Sequence, residues 1–325
     1  MPQRRGRRAQ VTYRRLELDR CDPDELVGVI DGSEMHHRLL PGGALTVRLE
    51  RAHLGKGSIQ RGRYGMGVLA QGALPPGVIT VGGMLRSPAD TVINGFLCPP
   101  VSLQLYSEHC ELNYRAARDT TWFAYCVERA ALQDAAIRLC GQPLRLPEAG
   151  ARILRLPPPV GRRLAACIQS VFAAMARQPS GEARDEVEAA LQLDIASALA
   201  GDGSMGACAR DMLHVEQRRR LMARAEDYLR AHLAQPFNLD RFARAVGVSH
   251  RMLEYHFRRT FGVTPIALHR SMRLDAVRRD LRLARRRGET VTTIAMRWGF
   301  THFGRFSEEY RILYGERPVD TLRRA

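Results

Sequence analysis

One local pattern occurs twice in the last third of the chain, 52 residues apart, and it constrains the fold more than any other feature. In the first copy, the polar residues of Asn238-Leu239-Asp240 suit the cap of a short helix through Phe242, Ala243 and Val246. Gly247-Val248-Ser249 then turns the chain, and Ser249 can cap a second helix reaching Thr260. Small Ala243 lets two helices cross closely, and Gly247 supplies the backbone angle of the turn. Short helix, glycine turn and second helix make a helix-turn-helix. In the second copy Ile294-Ala295 and Gly299 stand where Phe242-Ala243 and Gly247 stand in the first. Phe306 and Tyr310 match the inward pair Leu253 and Phe257.

Between the copies, Pro265 to Arg287 reads as one long helix, opened by Thr264-Pro265 and closed before Gly288. About 22 residues at ~1.5 Å each give roughly 33 Å, close to the ~34 Å of one turn of B-DNA. A rod of that length holds two recognition helices in successive major grooves. An amphipathic helix over Arg218–Leu233, stopped near Pro236, precedes the first copy. Charge follows the same division. Residues 218–325 hold 24 Arg and 11 Asp+Glu, a balance of +13, against +16 for the chain. A concentrated basic region is the footprint of a polyanion partner, and arginine supplies planar forks that fit phosphate and guanine. A solvated basic face would explain the charge alone, but not the repeat.

Residues Arg218–Arg324 resemble the DNA-binding domain of the AraC/XylS family of transcription regulators. "LDRFARAVGVSHRMLEYHFRRTFGVTP" matches the family's first unit, and "VTTIAMRWGFTHFGRFSEEYRILYGERP" follows its pattern around the second without a gap. The resemblance implies a sequence-specific DNA-binding regulator, more often an activator, that works as a homodimer on double-stranded DNA and contacts RNA polymerase. It also implies an N-terminal sensing or dimerising domain on a cupin-like β-barrel followed by helices, open to a small-molecule effector.

Helical geometry selects the DNA-facing residues. With Leu253 and Phe257 turned inward, Arg251, Glu254, Tyr255 and Arg258 fall on the opposite arc. Arg251 suits guanine, Glu254 cytosine N4, Tyr255 a thymine methyl or a phosphate, and Arg258 a phosphate. The family positions that read bases fall on Arg251, Glu254 and Tyr255. In the second unit, inward Phe306 and Tyr310 leave Gly304, Ser307, Glu308 and Arg311 outward, flanked by His302 and Arg305. Glu308 departs from the basic or polar residues common there in the family, so His302, Gly304, Arg305, Ser307 and Arg311 are expected to anchor more than to read.

The N-terminal half has a different texture. Short apolar runs broken by Gly and Pro (Ala44–Leu49, Gly67–Leu69, Val78–Val81, Thr91–Leu97, Val101–Tyr106) predict strands. After Pro157-Pro158-Pro159 come two helices, Gly161–Gln178 and Glu182–Ala200. One carries a stripe of Leu164, Cys167, Ile168, Val171, Phe172 and Met175, the other a stripe of Val187, Leu191, Ile195 and Leu199. Each stripe suits either intramolecular core or a dimer seam. The organisation expected is a basic disordered tail over 1–15 and a sensing or dimerising domain over 16–200, β-rich to 160 and helical after it. A flexible linker over 201–217, containing GDGSMG, leads to the DNA-binding domain at 218–325 with helix-turn-helix units at 239–260 and 290–314. The fold class is α+β: a β-rich, cupin-like domain with two helices, then an all-α domain of two units joined by a long helix.

Other functions fit poorly. No apolar run approaches the ~20 residues of a membrane span, and the basic N-terminus has no apolar core behind it, so a cytoplasmic protein is expected. Seven cysteines without a C-x-x-C pair read as reduced thiols. His36, His37, His53 and His109 contain no H-x-H, and adjacent His36 and His37 face opposite ways in a strand. No nucleophile elbow, phosphate loop or dinucleotide fingerprint stands in its proper context. No enzyme, metal or cofactor is expected. The aromatics Phe96, Tyr106, Tyr114, Trp122, Phe123 and Tyr125 read first as core and second as pocket lining. The alternative function is an effector-independent DNA binder whose N-terminal half only dimerises or binds a partner protein.

Overall fold

The computed structural model describes residues 12–19, 23–89, 91–99, 101–200, 209–284 and 288–324. Ten strands form one antiparallel sheet that curls into a nearly closed barrel. They are β1 (Tyr13–Leu18), β2 (Glu34–His53), β3 (Ser58–Ala73), β4 (Ile79–Arg86), β5 (Thr91–Ile93), β6 (Phe96–Cys98), β7 (Ser102–Tyr106), β8 (Glu111–Ala116), β9 (Thr120–Val127) and β10 (Ala151–Arg155). Long β3 organises the sheet. Its first half pairs with β9, its second half with β8, and β2 runs along its other edge.

Period-two alternation sorts the side chains. On β2, Met35, His37 and Leu39 face inward, opposite Gly72, Ala70 and Val68 of β3. Arg38 and Leu40 face outward, opposite Leu69 and Gly67. On β9, Trp122, Ala124 and Cys126 face the interior, while Phe123, Tyr125 and Val127 belong to the layer under the helices.

Three helices cover that outer layer: α1 (Arg129–Cys140), α2 (Pro158–Met175) and α3 (Gly181–Ala200). Leu164, Ile168 and Phe172 of α2 and Leu191 and Ile195 of α3 are buried with Ile59, Val81, Leu105 and Phe123 of the sheet. The two apolar stripes are therefore intramolecular core, and a dimer seam along them is ruled out. Tyr125 lies beneath α3, donates to Glu188 at 2.6 Å and accepts from Gln192 at 2.9 Å. A tyrosine hydroxyl carried into an apolar layer needs such partners.

The helices that follow are α4 (Ala209–Ala231), α5 (Leu239–Val246), α6 (His250–Phe261), α7 (Pro265–Ala284), α8 (Val291–Arg297), α9 (Phe303–Tyr314) and α10 (Pro318–Arg324). The caps read from the sequence are formed. Asn238 accepts from the Arg241 amide at 2.8 Å, and Ser249 from that of Met252 at 3.3 Å. Gly247 (φ +79°) and Gly299 (φ +72°) hold the left-handed angle of the two turns, where a β-carbon is strained. Leu253, Phe257, Phe306 and Tyr310 are each no more than 1% exposed, so the inward pairs are the cores of their units.

Several boundaries differ from the sequence reading. Tyr13, Arg14 and Arg15 belong to β1, paired with Ala52, Arg51 and Glu50, so the disordered tail does not extend to residue 15. The rest of that tail, to residue 11, lies outside the described residues. Helix α4 begins at Ala209 rather than Arg218, which removes the second half of the linker. Residues 201–208, with GDGSMG, lie outside the described residues, as do 285–287 at the end of the long helix. Helix α1 falls within the stretch read as strands.

The outward face of β2 and β3 docks on the helix-turn-helix region. Leu40 and Leu69 share an apolar cluster with Met222, Phe261 and Met272. Arg38 donates to Asp275 of α7 at 2.8 Å, and the Tyr314 hydroxyl donates to the other carboxylate oxygen at 2.6 Å. Gln71 donates to Glu226 of α4 at 2.8 Å, and Ser271 to the Leu39 carbonyl at 3.3 Å. The Arg115 side chain of β8 lies against Gly262, the cap of α6, where a β-carbon would come within 2.8 Å of its Nη1. Both units thus rest against the sheet.

Candidate nucleic-acid interface and effector cavity

Helix α6 separates its faces cleanly. Leu253, Phe257 and Phe261 are buried, and Arg251, Glu254, Tyr255 and Arg258 are exposed. Arg259 donates to the Tyr255 hydroxyl at 3.0 Å and steadies that ring on the surface. Arg251 and Arg258 make no ion pair or hydrogen bond among the described residues, so their guanidinium groups are unengaged. All four residues expected on the outward arc of α6 lie together there.

Helix α9 is arranged otherwise. His302 and Gly304 are exposed at its start, and a β-carbon on Gly304 would meet nothing within 4 Å, leaving room for a close backbone approach. Arg305 and Arg311 are exposed, but each is held within the helix, Arg305 by Glu309 and Arg311 by Glu308, both at 3.0 Å. Ser307 is half-buried, because it borders the inward row led by Phe306. Glu309 also binds Arg270 of α7 and ties the two helices together. Exposed pairs of this kind contribute only about 0–1 kcal/mol, yet they put a carboxylate on each of the two guanidinium groups. The sequence reading passed over Met252 and Phe303, apolar residues exposed in the first turns of the two recognition helices. Apolar contact with a thymine methyl suits such side chains, and their position beside the outward arcs was the available signal.

A second concave site lies inside the barrel. Met35, His37, Tyr64, Met84, Tyr106 and Trp122 are among the residues lining a cavity there. Of the aromatics singled out in the sequence, Tyr106, Tyr114, Trp122 and Phe123 line it, while Tyr125 lies under α3 and Phe96 sits half-buried on β6. Burial lowers the His37 imidazole to about 4, helped by the neighbouring His36 and opposed by the Met35 backbone. Its Nε2 stands 3.4 Å from the Tyr64 hydroxyl. The unfolded chain takes up the proton near the ordinary histidine value, the folded chain only near 4, so stability falls as pH drops through that window. Between pH 7 and 5 the wild type is expected to lose about 2 kcal/mol more unfolding free energy than His37→Asn. Urea unfolding at the two pH values measures it, and equal losses would refute the assignment.

Among the described residues no helix is long and apolar enough to cross a membrane. The helix-turn-helix domain family matches residues 242–324. The chain is 44% identical over 99 residues to the "Probable thc operon regulatory protein" of Rhodococcus erythropolis, a match covering 30% of each chain. It is 37% identical over 101 residues to the "XylDLEGF operon transcriptional activator 3" of Pseudomonas putida, covering 31% of this chain and 30% of the relative. The match thus spans about a third of these relatives' length. Among solved structures, a probable AraC family transcriptional regulator from Rhodopseudomonas palustris CGA009 is 30% identical. It covers 33% of this chain and 97% of its own, with a TM-score of 0.31. The AraC-like transcriptional activator CuxR is 16% identical over 74% of this chain and 85% of its own, with a TM-score of 0.37. The matched region coincides with the two capped, repeated units, so this chain carries a C-terminal helix-turn-helix domain of the AraC type.

Proposed function

We propose that this protein is a sequence-specific transcription activator that reads two successive major grooves and answers to a small molecule held in the barrel. The observation that carries the reading is the exposed, unengaged Arg251 on α6 in the first of two units joined by α7. At ~1.5 Å per residue a 20-residue helix is about 30 Å long, near one turn of DNA. Activation is supported by the relatives' printed names, and contact with RNA polymerase belongs to the same reading. The cavity, in a barrel we read as cupin-like, supports an effector. A homodimer through residues 16–200 remains part of the proposal, with exposed Ile137 and Leu193 on α1 and α3 in place of the buried stripes. Residues 218–325 act as the DNA-binding domain, in the cytoplasm.

Selection of a randomised duplex library by the full chain tests this. Two short motifs about 10 base pairs apart are expected, and a single motif would overturn the two-groove reading. Arg251→Ala should cost about 1–3 kcal/mol and relax one base position, as for a lost bidentate guanine contact. Arg311→Ala should weaken all sequences alike and flatten the salt slope by roughly one unit. If Arg305→Ala changes the preferred sequence and Arg251→Ala leaves it intact, the two helices have exchanged roles.

A further inference from the structure

The barrel cavity discriminates by charge as well as by shape. Among the described residues no Arg, Lys, Asp or Glu lines it, and the one imidazole among them, that of His37, is held neutral by burial. A carboxylate or ammonium entering it would give up its hydration shell and meet no counter-charge. The walls are aromatic rings and thioethers, from Tyr64, Tyr106, Tyr114, Trp122, Met35 and Met84, which favour flat, apolar bodies.

Most polar groups of the lining answer one another. The Tyr106 hydroxyl donates to Gln104 at 3.0 Å, and the Gln104 amide donates to Cys98 Sγ at 3.1 Å. Thr80 Oγ1 meets Cys126 Sγ at 3.5 Å, the Tyr114 hydroxyl donates to Met84 Sδ at 3.7 Å, and Tyr64 meets His37. Trp122 differs. The residue is 6% exposed, and its indole N–H has no partner among the described residues. Its place is set by Gly62, directly opposite on β3, where a β-carbon would fall within 2.4 Å of the ring. An indole N–H only donates, and leaving it buried and unpaired costs stability.

We propose that the cavity binds an uncharged, ring-bearing small molecule with one hydrogen-bond acceptor, such as a carbonyl oxygen, that takes the Trp122 indole N–H. The proposal rests on the reading of the barrel as an effector site and adds the chemical class of the effector. Three probes of one shape separate the contributions: acetophenone, ethylbenzene and benzoate. The full chain, labelled at its indole nitrogens and methionine methyls, is titrated with each at pH 7 by NMR. Trp122→Phe identifies the indole signal, since Trp298 supplies the other.

Acetophenone is expected to move the Met35 and Met84 methyl signals and shift the Trp122 indole proton downfield. Ethylbenzene should bind roughly tenfold more weakly without that shift, as for one lost hydrogen bond, and benzoate should leave both sets of signals unmoved. Trp122→Phe should bring acetophenone down to the affinity of ethylbenzene. Benzoate binding as tightly as acetophenone would overturn the uncharged class. Equal binding of acetophenone and ethylbenzene in the wild type would overturn the acceptor, while leaving the cavity as a binding site. If no probe moves either methionine, the effector reading of the cavity falls with the proposal. The wild-type titrations decide these outcomes even if the Trp122 variant does not fold.

Discussion

Raising the salt from 50 to 200 mM is expected to weaken binding of the full chain to duplex DNA by about 10^3-fold. That is the lower end of the range for six to ten neutralised phosphates. The +13 balance of residues 218–325 provides the driving force, because each arginine that meets a phosphate releases condensed counterions. The second unit holds the effect to the lower end. Arg305 and Arg311 must exchange Glu309 and Glu308 for phosphate, so part of their attraction is already spent within α9. Fluorescence anisotropy across a salt series measures the slope of log K against log salt. A slope flatter than about −2 would mean too few phosphate contacts for two docked units. Glu308→Gln releases Arg311 and should steepen the slope by roughly one unit.

The second large effect is expected at the junction between the halves. Asp275→Ala should lower the unfolding free energy by about 3–5 kcal/mol, the cost of removing one partner from a largely buried ion pair. The Arg38 side chain is only 20% exposed, and without Asp275 it loses its direct ion pair and keeps only the more distant Glu226. The Tyr314 hydroxyl, which donates to the same carboxylate, loses its acceptor as well. Burial raises the Asp275 pKa, while Arg38 and the tyrosine pull it back, so the ionised form depends on both. Urea unfolding of Asp275→Ala, Arg38→Met and the double variant forms the cycle. Strongly non-additive losses are expected, with the double variant milder than the sum. Additive losses below 1 kcal/mol each would show that this ion pair does not hold the halves together.

The helix-turn-helix region was legible because its information is local. Caps such as Asn238 and Ser249, turn glycines such as Gly247, and core pairs such as Leu253 and Phe257 lie within a few residues of what they control. The outward arc of α6 followed from the same spacing. Helix α9 was legible in its exposure but not in its ion pairing, since the pairing of Arg305 with Glu309 depends on rotamers and on Arg270 from another helix. The barrel was legible as a texture of strands and no further. Whether Trp122 is core or cavity wall depends on Gly62, some 60 positions earlier in the chain and opposite it only through strand register. Helix α1 was missed because its apolar and polar residues do not sort into a clear stripe. The ion pair of Arg38 and Asp275, 237 residues apart, has no local signal at all.

One feature of β2 limits how this protein can change over time. His37 faces the cavity and Arg38 faces α7, so neighbouring residues of a single strand serve both surfaces. Substitutions can alter either surface alone. A one-residue insertion or deletion ahead of them cannot, because it turns every later side chain of the strand to the other face. It would bring a guanidinium into an apolar cavity and take from Asp275 its partner in the same event. Indels of two residues keep the faces and shift only their alignment with β3. Lineages descended from this fold should therefore vary freely in the identity of alternate β2 residues, while the length of the strand up to Leu40 changes in even steps or not at all.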